Sequence, residues 1–117
     1  MNDVSRTPGK TTIAPDVLIS IARLAALGVP GVQKLSEQPA DVSKIFSTHR
    51  GEGVRIEVEN NTVYADLFLV LKGDANVREV CKKVQEQISR SISEMVGMEV
   101  GRVNIHVENI VYPMNED

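Results

Sequence analysis

The chain has no tryptophan, two tyrosines and two phenylalanines. So thin an aromatic set excludes a core built on rings, and the core must come from Val, Ile, Leu and Ala. There is one cysteine, Cys81, which excludes an internal disulfide framework. No apolar run reaches the ~18 residues of a membrane span. The start, "MNDVSRTPGK", has no apolar signal core. Positive charge is not in excess: 13 Lys and Arg stand against 16 Asp and Glu, a formal net charge of −3. Such a surface does not attract nucleic acid as a whole. The expectation is a soluble, cytoplasmic protein without direct membrane insertion. Its 117 residues suit one domain with a modest core.

What is present is periodic. Residues 1–12 are polar and predict a flexible tail, as do residues 113–117, with one domain over 13–112. "APDVLISIARLAALGVPG" predicts a helix. Pro15 suits its first position, Asp16 the positive end of its dipole, and Gly28 with Pro30 its end. Only Asp16, Ser20 and Arg23 are polar there, so the helix asks for burial on more than one side. "GVQKL" (31–35) can form a short strand. Residues 36–52 look irregular, with a one-turn helix on Val42, Ile45 and Phe46. "HRGEG" (49–53) predicts a loop.

"GVRIEVENNTVYADLFLVL" (53–71) predicts a hairpin, because Asn60-Asn61 tolerates the positive φ of a type I′ turn. That turn sets Val54 opposite Leu67, Arg55 opposite Asp66, Ile56 opposite Ala65, Glu57 opposite Tyr64 and Val58 opposite Val63. Residues 73–97 predict a second helix, capped by Asn76 and Gly97. Its apolar stripe is Val77, Val80, Cys81, Val84, Ile88, Ile92 and Met95. Glu79–Lys83 and Glu86–Arg90 are spaced for pairing on its wet face. "EVGRVNIHVENIVY" (99–112) alternates and predicts a last strand, parallel to the preceding one through a right-handed crossover. The fold class is α+β. It is a two-layer single domain with a mixed sheet of three to four strands and two main helices on one face. The order is helix, strand, strand, helix, strand.

No constellation carries chemistry. Cys81 lies on an apolar stripe and packs as a small hydrophobe. His49 and His106 have no ligand partner at metal spacing. Gly51-Glu52-Gly53 precedes a strand and lacks the helix N-terminus of a phosphate loop. An enzyme using His106 with Glu57 or Asp66 is the weakest reading. A KH-like RNA-binding module is the alternative. Lys82, Lys83 and Arg90 would meet phosphates and Tyr64 or Phe68 would stack on bases, but the glycine clamp is missing. What stands out is Tyr64, Phe68 and Val70 on the face away from the helices, near His106. Either neighbouring side chains or the 36–52 segment cover them, or these four residues form a partner surface.

"IAPDVLISIARLAALGVPGV" (13–32), the hairpin with its Val63–Leu67 centre, and "VREVCKKVQEQISRSISEMVGMEVGRVNIHVENI" (77–110) together resemble the alkaline shock protein family of bacterial envelope-stress proteins. The resemblance implies a small cytoplasmic α+β protein that is not an enzyme, has no cofactor and forms a homo-oligomer. It implies a role in envelope stress and homeostasis through self-association and partner binding. The partners it implies are a membrane anchor protein, which would hold the chain peripherally at the membrane, or acetyl-CoA carboxylase subunits in fatty-acid synthesis.

Overall fold

The computed structural model describes residues 8–9, 11–36, 49–51 and 53–112. Most of the expected N-terminal tail, the whole C-terminal tail and the one-turn helix on Val42, Ile45 and Phe46 lie outside the described residues. The chain runs α1 (Pro15–Leu27), β1 (Val32–Leu35), β2 (His49–Gly51), β3 (Val54–Glu59), β4 (Thr62–Lys72), α2 (Val77–Val96) and β5 (Glu99–Val111). Both helices fall where their periodicity places them. Pro15 opens α1, and Gly28 closes it with ordinary right-handed torsions. In α2 the Asn76 side chain accepts the Glu79 N–H at 3.0 Å, and Gly97 ends the helix at φ 72°. That left-handed turn costs glycine nothing.

The hairpin has the expected register at every pair from Val54↔Leu67 to Glu59↔Thr62. Asn60 and Asn61 both take positive φ, 53° and 61°. β4 runs through the middle of a mixed sheet of five strands, one more than expected. Along one edge it pairs with β5, in parallel, over its whole length. Its other edge is shared end to end, first by β3 and then by β1. The added strand is β2, which pairs with β3 through His49↔Ile56 and Gly51↔Val54. The loop expected at 49–53 is thus largely a strand. Two glycines hide its pattern, and a turn through Gly53 at φ 81° folds it back.

Val63, Ala65, Leu67, Leu69 and Leu71 of β4 are almost wholly buried against Leu18, Ala22, Val84, Ile88 and Ile92 of the two helices. Each valine, leucine or isoleucine among them contributes about 1.5–3 kcal/mol on full burial. Both helices therefore cover one face of the sheet. α1 is less enclosed than its sequence suggests: Val17, Leu24 and Leu27 remain exposed. On α2, Val77 and Met95 drop out of the expected buried stripe and face solvent. They lie at its two ends, where Ala75 and Val96 pack against the core instead. Arg90 pairs with Glu94 at 3.3 Å instead of with Glu86.

Candidate functional site

The sheet face away from the helices collects the polar and aromatic side chains of β3, β4 and β5. Alternation puts Tyr64, Asp66, Phe68 and Val70 on that face of β4. The parallel register then sets Tyr64 beside Arg102, Asp66 beside Asn104 and Phe68 beside His106. From the other side, Arg55 stands opposite Asp66.

Asp66 is the polar centre. Its Oδ1 accepts from Asn104 Nδ2 at 3.1 Å and lies 3.1 Å from His106 Nε2. The His106 ring stacks on Phe68, with centroids 4.5 Å apart and planes 12° off parallel. The Arg55 guanidinium sits 5.3 Å from the Phe68 centroid, and Arg102 sits 5.6 Å from that of Tyr64. Both are within cation–π range. Gly101 makes room for the tyrosine: a Cβ there would come within 2.5 Å of the Tyr64 ring.

The four residues expected as a partner surface do not share one exposure. Phe68 keeps 9% of its surface and Val70 4%, although neither belongs to the helix-side core. Arg55 and His106 lie against Phe68, which is the cover by neighbouring side chains that the sequence allows as one alternative. Tyr64 is half-buried and His106 exposed. The structure brings Phe68 and His106 together and leaves Tyr64 in a separate contact with Arg102.

Three other readings can be placed. The Asp66–His106 pair exists, but Cys81 lies across the sheet on α2, half-buried, where burial pushes its thiol pKa up. Lys82, Lys83 and Arg90 are exposed on α2. Tyr64 and Phe68 lie on the opposite face of the sheet, so the phosphate and base contacts of an RNA-binding surface would be split between two layers. Among the described residues, no cluster of His, Cys, Asp and Glu could hold a metal ion. No described helix is long and apolar enough to cross a membrane.

Sequence reasoning missed two features. One is the pair of arginines on the aromatic rings, which follows only from a register joining three strands. The other is the outer edge of β5. Among the described residues, this 13-residue strand pairs with β4 alone, and most of it is exposed. The signal was its place at the far end of a crossover, entered from a helix.

Comparison with known proteins agrees with this architecture. Residues 3–112 match the model of the alkaline shock protein 23 family, described as having a cell envelope-related function. The chain is 32% identical over 104 residues to Spy1535 of Streptococcus pyogenes serotype M6, covering 88% of this chain and 80% of that protein. It is 28% identical over 106 residues to YqhY of Bacillus subtilis strain 168, covering 89% of this chain and 78% of that one. Among solved structures, a variant of the MamM CTD superposes with a TM-score of 0.52 at 11% identity, over 82% of this chain and 99% of that one. At that identity the likeness concerns the fold alone.

Proposed function

Since the chain belongs to the alkaline shock protein 23 family, whose function is cell envelope-related, we propose that it is a non-enzymatic homeostasis protein acting by self-association and partner binding. The observation that carries this reading is β5, a long strand that among the described residues is paired on one side only. A bare strand edge is a template for another chain, and proteins normally blunt it unless it is used. The exposed line of Val17, Leu24 and Leu27 on α1 adds an apolar surface that the chain's own core does not take up.

The partners that suit this reading are a second copy and either a membrane anchor protein or acetyl-CoA carboxylase subunits. The first would place the chain in the cytoplasm at the membrane, the second in the control of fatty-acid synthesis. Affinity purification of the tagged chain from its native bacterium, followed by mass spectrometry, tests this. Enrichment of untagged copies with an anchor or with carboxylase subunits is expected. Recovery of RNA with ribosomal proteins would overturn it in favour of nucleic-acid binding.

A further inference from the structure

We infer that the outer edge of β5 pairs with β5 of a second copy, antiparallel, about a two-fold axis through Ile105. This rests on the self-association proposed above and names its surface and register.

The backbone of β5 shows which groups are free. At its two ends, odd-numbered residues turn toward β4. The Glu99 N–H donates to the Asn61 carbonyl at 3.3 Å, and the Val111 carbonyl accepts the Gly73 N–H at 2.7 Å. The β4 register skips Gly101 and then Glu108, so β5 carries two bulges. Each bulge reverses the parity. Between them the odd residues Val103, Ile105 and Val107 therefore direct their N–H and C=O groups away from β4. Two side-chain bonds agree with that assignment. Gln85 Nε2 of α2 donates to the Val103 carbonyl at 3.0 Å, and the Ile110 N–H is taken by its neighbour Asn109 Oδ1 at 2.8 Å. The ends of the free edge are thus held by side chains, and Ile105 and Val107 lie between them.

The side chains choose the register. A two-fold axis through Ile105 sets Ile105 opposite itself and Val103 opposite Val107. These are the residues whose backbone groups face outward, as hydrogen-bonded antiparallel pairs require, and the Val103 carbonyl, with two lone pairs, would accept from the second copy beside Gln85 or release it. On the helix side the pairs are then apolar throughout. On the other face Asn104 meets His106, two groups able to hydrogen-bond. Arg102 meets Glu108, and two-fold symmetry makes that ion pair twice. Moving the axis to Asn104 sets Arg102 opposite His106, and moving it to His106 sets Arg102 opposite Ile110. Both lose the charge pair. Arg102 and Glu108 are exposed in the single chain, so each is available to a second copy.

The test uses two full-length variants, Arg102→Glu and Glu108→Arg, alone and mixed, in light scattering and analytical ultracentrifugation. Each variant alone places two like charges opposite one another. Its self-association should weaken about tenfold relative to the native chain, since like charges directly opposite are destabilising. An equimolar mixture places Glu opposite Arg at both positions and should associate like the native chain. Circular dichroism should be unchanged, because both sites are exposed. A native chain that stays monomeric overturns the inference together with the self-association it rests on. A native oligomer whose variants associate as well alone as mixed overturns only the edge and its register. Variants that stay apart even when mixed overturn the register too.

Discussion

Phe68 and Gly53 meet where the edge of β4 passes from one partner strand to another. The Phe68 N–H donates to the Gly53 carbonyl at 2.9 Å, while the Phe68 carbonyl accepts from Ser36 at 2.6 Å. One residue of β4 is thus shared between the start of β3 and the end of β1. Gly53 holds φ at 81°, and a Cβ there would stand 2.7 Å from the Ser36 carbonyl oxygen and 2.9 Å from Leu35 Cβ. Gly53→Ala should therefore cost about 1–3 kcal/mol, from backbone strain and the clash together. The urea midpoint should fall with an unchanged m-value. A midpoint equal to that of the native chain would show that β1 can move aside without cost.

The same junction marks where legibility ended. The hairpin could be read pair by pair, because its turn residues and its alternation agree on one register. The helices could be read because their caps bound a 3.6-residue stripe. β1 was legible as a short strand within 31–35, but β2 spans only three residues, too few for a period to show. That they lie along β4 and β3 is decided by long-range pairing, which has no local signature. For the same reason Tyr64, Phe68, Val70 and His106 were legible as one face but not in their exposure. Phe68 is closed by Arg55 and His106, one from the strand on each side.

The turn offers a second measurement. Asn60 and Asn61 both sit in the left-handed region, which most side chains enter at a cost of about 1–2 kcal/mol each and asparagine at less. Asn61→Gly should raise stability by a few tenths of a kcal/mol or more. Asn60→Ala with Asn61→Ala should lower it by about 1–2 kcal/mol. The Asn61 carbonyl also receives the first β5 N–H. Loss of the turn should therefore speed amide exchange at Glu99 as well as in the hairpin.

Cys81 gives a pH dependence. Burial raises its thiol above the ordinary range, so the folded chain holds the neutral form more firmly than the unfolded chain does. The stability that comes from this is fully present below the ordinary thiol pKa. It is lost as pH rises through that value toward the raised folded one. Urea midpoints should fall as pH rises from neutral through the ordinary thiol pKa. Cys81→Ala should lessen that fall, because the variant has no thiol to ionise. Alkylation of the folded native chain should also be slower than that of the unfolded chain at the same alkaline pH. Equal rates would mean that the thiol is as free as in solution.

The last expectation concerns Phe68 and Val70, which decide what the outer face is for. If they formed an open contact surface, Phe68→Ser with Val70→Thr would weaken association and leave the fold alone. Their exposures of 9% and 4% argue for the opposite result. Replacing a buried ring with a hydroxyl removes its contacts with His106 and Arg55 and leaves a space beside them. Burying a threonine hydroxyl in place of a methyl adds a desolvation cost. Together the changes should cost about 4 kcal/mol, much of the stability of an ordinary domain of this size. His106→Ala removes only the exposed half of the ring stack and should cost about 1 kcal/mol. The double variant should lose most of its cooperative urea transition, while His106→Ala keeps its transition. A double variant that melts like the native chain but fails to associate would return Phe68 and Val70 to the partner surface.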